Sequence, residues 1–220
     1  MCSSDLLLDA GVHHLPVTRD AAIVGVLTSG DVLRATAQGP VALMRGVERL
    51  PSRESLPGYA ARVTAMVSSL LAAGLEAPAI AGLVARLNDA LLRPILRWAE
   101  AELGPPPAPY AWIVFGSEGR MEQTLLTDQD NALVYADAGA DRREWYQALA
   151  ERVNADLEAA GFPPCQGGRM ARAWHGTLSE WRRRLAEGIA GAPGEAAVFF
   201  DLRRAGGTPM PRLLRLAGLE

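Results

Sequence analysis

The stretch Trp112-Ile-Val-Phe-Gly-Ser-Glu-Gly-Arg120, followed by Thr127-Asp-Gln-Asp-Asn-Ala-Leu-Val-Tyr135, decides how the chain is read. An apolar run ends in Gly116-Ser117, and eleven positions after Ser117 an Asp-x-Asp pair opens a second apolar run. Short apolar runs bounded by turn residues read as buried strands. Side chains alternate sides along a strand, which puts Asp128 and Asp130 on one face. Two carboxylates roughly 6–7 Å apart repel by about 2–3 kcal/mol at an effective dielectric near 20. A hard cation such as Mg²⁺ takes oxygen ligands from one or two carboxylates and from substrate phosphates, and so turns that repulsion into attraction. Gly116 lets backbone approach a phosphate closely, and Ser117 adds a hydroxyl donor. Exposed amides at the start of the next helix favour an anion. In water the same repulsion falls below about 1 kcal/mol, so either half alone reads as a turn or a solvated loop. The two halves in order, each joined to a strand-like run, suit a site for a nucleoside triphosphate and a divalent cation.

Composition narrows the chemistry further. The 220 residues are 49% hydrophobic, enough for one good core and a smaller module. Net charge is −3, from 22 basic and 25 acidic residues, so DNA or RNA is not indicated as a partner. Every basic residue is Arg. A Walker-type phosphate loop needs its Lys, and so does Schiff-base chemistry; both are excluded. Phosphate contacts must come from Arg, backbone amides, hydroxyls or metal. Cys2 and Cys165 are the only cysteines, which fits a reducing compartment. No apolar stretch reaches the length of a membrane span, and the N-terminus does not read as a signal peptide. A cytoplasmic location is expected.

Outward from the central stretch, Gly104-Pro-Pro-Pro-Ala-Pro109 reads as a stiff connector into a strand over Tyr110–Phe115. A helix is expected from Glu118 to Leu125, then the strand bearing Asp128 and Asp130. Upstream, Tyr59, Val63, Met66, Val67, Leu70 and Leu71 recur at helical spacing, and Gly74 should close that helix. A second helix is expected over Ala77–Leu103, with Ile80, Leu83, Val84, Leu87, Leu91, Ile95 and Trp98 inward and a kink at Pro94. Downstream, Arg142–Ala160 reads as a helix closed by Gly161, Phe162–Ala173 as a loop, Leu178–Ile189 as a helix, and Ala196–Asp201 as a strand ending in an acid. Near the N-terminus, residues 5–11 read as the end of a helix. His14–Val17 and Ala22–Leu27 read as strands around the turn Arg19-Asp20, and Ser29 as the cap of a helix to Ala37. Gln38–Leu56 reads as a linker with room for a short helix.

The stretch Gly116-Ser-Glu-Gly-Arg-Met-Glu-Gln-Thr-Leu-Leu-Thr-Asp-Gln-Asp-Asn-Ala-Leu-Val-Tyr135 resembles the signature of CBS-linked signal-transduction nucleotidyltransferases. These are similar to the uridylyltransferases of nitrogen-regulatory PII proteins, within the DNA polymerase beta-like superfamily. The resemblance runs from about Pro57 to Asp201. Separately, His14-Leu-Pro-Val17 and Gly25-Val-Leu-Thr-Ser-Gly-Asp31 resemble the second half of a CBS domain, in which the Thr28 and Asp31 positions bind the ribose of adenosine nucleotides.

The resemblance implies an α/β (α+β) nucleotidyltransferase fold: a small mixed sheet with flanking helices, preceded by a helical segment and a partial CBS module. The implied domains are the C-terminal half of a CBS domain (1–38), a linker (39–56) and a nucleotidyltransferase domain (57–208), with a helical lead-in to 103 and a catalytic core from 104. A further segment starts at 209, and the chain is expected to be a piece of a longer regulator. The implied activity is metal-dependent transfer of a nucleoside monophosphate from ATP or UTP to a hydroxyl, with a protein side chain as acceptor. A homodimer through the CBS region is expected for the longer protein. The competing reading is a non-catalytic sensor that binds nucleotide and transfers nothing.

By the same resemblance, Asp128, Asp130 and Asp201 are the catalytic and Mg²⁺-binding residues. Asp201 follows the apolar run Val198-Phe-Phe200; the bland alternative is an Asp that caps a turn. Gly116, Ser117, Arg120 and Arg169 are the nucleotide-binding candidates. Arg120 reaches either the triphosphate or an ion pair with Glu122 or Asp128. Cys165-Gln-Gly-Gly-Arg-Met-Ala171 resembles a loop of the same family, where Arg169 and Arg172 either meet phosphate or lie in an ordinary exposed loop. Gln123 and Asn131 flank the site and read as supports for it. Cys165 has no base partner in the sequence and is a poor nucleophile candidate.

Overall fold

Near the N-terminus the alternating runs form a hairpin, in which β1 (His14–Arg19) pairs antiparallel with β2 (Ala22–Thr28). The turn is Asp20-Ala21, one residue later than expected, and both residues have positive φ, 49° and 66°. Two left-handed residues make the mirror-image turn whose twist matches that of the paired strands. At the end of β2, Thr28 and Asp31 bond each other. The Thr28 N–H and hydroxyl donate to Asp31 Oδ2 at 2.9 and 2.6 Å, and the Asp31 N–H donates to Thr28 Oγ1 at 3.1 Å. This is the reciprocal bonding of a capping box.

The computed structural model describes residues 12–28, 30–31, 40–123, 125, 127–190 and 203–207. The expectations for residues 5–11, for Ser29, for most of the helix ending at Ala37 and for the strand 196–201 lie outside these. The chain divides after Gly46 into two compact units, and the hairpin belongs to the first. Helix α1 (Pro40–Glu48), in the expected linker, crosses that division.

The second unit begins its helical part with α2 (Tyr59–Ala72) and α3 (Ala77–Leu103), at the expected places. α2 ends as its glycine requires. Gly74 takes φ 82°, its N–H bonds the Leu71 carbonyl, and the Leu75 N–H bonds that of Leu70; this paired closure needs a left-handed residue. Tyr59, Val63, Met66 and Val67 are buried, but Leu71 is 55% exposed, so the inward face is narrower than its spacing predicts. α3 continues through Pro94, with Ile80, Val84, Leu87, Leu91 and Ile95 buried and Leu83 and Trp98 half-buried. Before α2, Arg53 ties the chain to two later helices: its Nε bonds both Asp156 carboxylate oxygens at 2.9 and 2.7 Å, and its Nη1 pairs with Glu102 of α3.

The sheet is built on β3 (Tyr110–Val114), with β4 (Asn131–Tyr135) antiparallel on one side and β6 (Arg203–Gly207) antiparallel on the other. β5 (His175–Thr177) adds parallel to β4, giving the order β5-β4-β3-β6. Every residue of β3 and β4 is buried, as expected of strands covered on both faces. One face carries Ile113, Phe115, Ala132 and Val134 against Leu178 and Trp181 of α6 (Leu178–Ala190), with Trp174 beside them. Facing the other way, Trp112 and Val114 meet Leu92 of α3 and Leu157 of α5 (Arg143–Ala160) around a small cavity. The architecture is thus α/β, a small mixed sheet with helices on both faces. Among the described residues no helix is long and apolar enough to cross a membrane.

Two local devices carry stability predictions. Tyr146 stacks on Tyr135 with ring centroids 3.8 Å apart. Its hydroxyl accepts the Ala108 N–H at 2.8 Å and donates to the Ala108 carbonyl at 2.9 Å. Tyr146→Phe keeps the stack and orphans two backbone groups of a buried residue, at a cost of about 1–3 kcal/mol. The thermal midpoint is expected to fall by roughly 2–12 °C.

The second device is His175 on β5. Burial holds its imidazole below the ordinary range, with Arg143 and Arg184 adding to the effect, and its Nδ1 is buried without a partner among the described residues. With the folded pKa depressed, the unfolded chain takes up the proton first. The stability contributed by neutral His175 is therefore present above about pH 6.5 and is lost as pH falls below it. Thermal melts across that range are expected to show a steeper acid-side decline in the wild type than in His175→Phe.

Candidate active site

β3 ends at the first half of the central stretch and β4 begins just after the second, so antiparallel pairing brings the two halves together. The Phe115 N–H donates to the Asp130 carbonyl at 3.1 Å. Gly116 then takes φ 57°. A Cβ built there would sit 3.1 Å from Asp130 Oδ2, closer than such contacts ordinarily come. The glycine is therefore required twice, for its backbone angle and for the carboxylate beside it.

Two expectations about this segment are corrected. The helix after Gly116 is a single turn, α4 (Gly116–Gly119), where a run to Leu125 was expected. Met121 takes φ 59° and breaks the helical path, and the Glu122 N–H closes back on the Ser117 carbonyl at 2.8 Å. Asp128 and Asp130 precede β4 instead of lying within it; between them Gln129 makes one isolated bridge, to Pro164. The side chains still converge. Asp128, Asp130 and Cys165 each present a ligand atom within 4.8 Å of the other two. Asp128 is exposed, and Asp130 and Cys165 are half-buried.

The Cys165 thiol lies 3.1 Å from Asp130 Oδ1 and donates to it. Burial pushes the thiol pKa up, and the Asp130 contact adds to this against the backbone N–H groups of Arg169 and Gly167. Cys165 is thus a protonated neighbour of the acids and not an activated nucleophile. Two carboxylates suit a hard cation, whereas a protonated thiol does not. The donor set therefore fits Mg²⁺ on Asp128 and Asp130, with Cys165 fixing the orientation of Asp130. Cys165 has no base partner in the sequence, and its bond to Asp130 spans 35 positions. The sole hint was its place in the Gly-rich loop.

Two polar networks hold the segment. In the first, the Tyr59 hydroxyl donates to Asn88 Oδ1 at 2.7 Å, Asn88 Nδ2 to Gln123 Oε1, and Gln123 Nε2 to Thr127 Oγ1 at 2.6 Å. This relay, with Gln123 as its third member, ends one residue before Asp128. In the second, Gln129, Asn131 and Asn154 join the segment to the loop Phe162–Ala173. The Gln129 N–H donates to the Pro163 carbonyl, the Asn131 N–H to that of Arg169 and the Leu133 N–H to that of Trp174, each at 3.0 Å. The loop therefore runs parallel beside the acids before it becomes β5.

The remaining candidates divide. Ser117 is half-buried beside Gly116. Arg120 Nε bonds Glu122 Oε2 at 2.7 Å, the ion pair weighed against a phosphate contact. Arg169 is half-buried and folds over Gly167, where a Cβ would stand 3.4 Å from its guanidinium. Arg172 pairs with Glu158 at 3.2 Å. Asp201 lies outside the described residues. β6 starts two positions later, at Arg203, which pairs with Val114.

A family model described as Putative nucleotidyltransferase DUF294 matches residues 61–195. The match takes in Gly116, Ser117, Asp128, Asp130 and Cys165. No curated protein matches the chain.

Proposed function

Since the chain belongs to the Putative nucleotidyltransferase DUF294 family, we propose that it moves a nucleoside monophosphate from a nucleoside triphosphate, ATP or UTP, to a hydroxyl acceptor. The observation that carries this reading is the convergence of Asp128 and Asp130 beside the left-handed Gly116. Asp128 and Asp130 hold Mg²⁺, which supplies charge stabilisation at the phosphates and at the leaving pyrophosphate. Gly116 and Ser117 receive the β- and γ-phosphates through close backbone approach and a hydroxyl donor. Arg169 turns its charge toward the nucleotide, and Arg120 does so by leaving Glu122. Asp201 is the third carboxylate and takes the proton of the incoming hydroxyl. Its support is that β6 begins beside the end of β3 that leads into Gly116.

The acceptor is a side chain hydroxyl, such as Tyr, on a signalling partner, and the N-terminal hairpin is the second half of a CBS module through which a longer protein pairs and is regulated. Both rest on the sequence resemblance. The test is incubation with labelled ATP or UTP, Mg²⁺ and candidate acceptor proteins, with pyrophosphate measured in parallel. Label in the acceptor and matching pyrophosphate are expected. Saturable nucleotide binding with no pyrophosphate under any acceptor would instead establish the sensor reading.

A further inference from the structure

We infer that Asn154 is a positioning residue for the cation site, holding the acidic segment and the Cys165 loop in one arrangement. This rests on the reading that Asp128 and Asp130 bind a divalent cation.

Asn154 lies inside α5 and is fully buried. Asn is a poor helix former, and a buried amide is costly unless it is bonded. Here the side chain amide is bonded at both ends. Its Nδ2 donates to Gln129 Oε1 at 2.8 Å and to Asn131 Oδ1 at 2.9 Å, and its Oδ1 accepts the Arg172 N–H at 3.0 Å. Its backbone carbonyl also accepts Gln129 Nε2 at 3.1 Å.

The partners explain the purpose. Gln129 and Asn131 stand on either side of Asp130, and Gln129 separates it from Asp128. Each of the two also grips the loop. Gln129 Nε2 donates to the Phe162 carbonyl at 3.2 Å, and Asn131 Oδ1 accepts the Ala171 N–H at 2.8 Å. One side chain therefore fixes the acids from behind and anchors both ends of the loop that places Cys165 against Asp130. Partners behind metal ligands set ligand orientation, and their loss typically weakens metal affinity by about 10–100-fold.

The test is Mn²⁺ binding, followed by loss of the free-ion paramagnetic signal, in wild type, Asn154→Asp, Val153→Ala and Asp130→Asn. Asn154→Asp is nearly isosteric, keeps the acceptor for Arg172 and turns the donor into an oxygen facing two oxygens. Val153 is its fully buried neighbour on the same helix, with no part in the network. Asn154→Asp is expected to weaken Mn²⁺ by about 10-fold or more, with Val153→Ala within about twofold of wild type at equal or greater loss of thermal stability. In a Cys2→Ser background, Asn154→Asp should also speed labelling of Cys165 by a maleimide several-fold. If Asn154→Asp does not fold, Asn154→Ser carries the same comparison. Equal Mn²⁺ affinity in the Asn154 and Val153 variants, with Asp130→Asn binding abolished, overturns the positioning role alone. Unchanged binding in Asp130→Asn overturns the cation site, and this inference with it.

Discussion

An Asp128→Ala/Asp130→Ala double variant is expected to keep its fold and to lose nucleotidyl transfer by about 1000-fold or more. The two carboxylates are the described acids that converge beside Gly116. Without them nothing in that segment holds a cation against the triphosphate. Cation stabilisation of the phosphates is worth several kcal/mol, and each 1.4 kcal/mol is about a factor of ten in rate. Stability follows the opposite logic. Asp128 is exposed and Asp130 half-buried, and removing two like charges relieves a repulsion of about 1 kcal/mol in solvent. Label transfer and a thermal melt on the same preparation check both halves. Transfer undiminished in the double variant would reject the assignment.

Gly116→Val is expected to be nearly as damaging to transfer, and also to destabilise. A branched residue at φ 57° costs about 1–2 kcal/mol in backbone strain. Its Cβ meets Asp130 Oδ2 at 3.1 Å, so the carboxylate must move. Displacing a reacting or coordinating group by about 1 Å can cost around 100-fold in rate. The thermal midpoint should fall by a few degrees, and transfer by about 100-fold or more. Gly82→Ala is the matched control, because that glycine lies within α3 with open space around its Cβ position. Helix propensity predicts a stabilisation there of about 0.5–1 kcal/mol. If both variants transferred alike, the close approach of Gly116 to Asp130 would have no catalytic meaning.

The parts of this fold that depend on local period were open to reading. α2, α3, α5 and α6 follow apolar spacing over ten or more residues, and Gly74 and Gly161 mark two of their ends. β5 was invisible because His-Gly-Thr has no strand pattern; it exists through its parallel pairing with β4. After Gly116 the residues Met-Glu-Gln favour helix by propensity, while the left-handed Met121 answers to the turn back toward β4. Both halves of the candidate site were legible as motifs, since Gly-Ser and Asp-x-Asp are each contiguous in sequence. What joins them was not. The contacts Asn154–Gln129, Asn88–Gln123 and Cys165–Asp130 span 25, 35 and 35 positions, and no period or motif in one chain announces a bond of that range. Asp201, the third acid of the motif reading, lies outside the described residues.

The short outer strand β5 has a consequence for association. It spans three residues and passes at once into α6, whose first turn it caps: the Thr177 N–H donates to Glu180 Oε2 at 2.8 Å, and the Glu180 N–H to Thr177 Oγ1 at 3.2 Å. A foreign strand needs a run of free backbone to zip onto, and this margin of the sheet gives it almost none. Brevity here works as protection against amyloid-like recruitment.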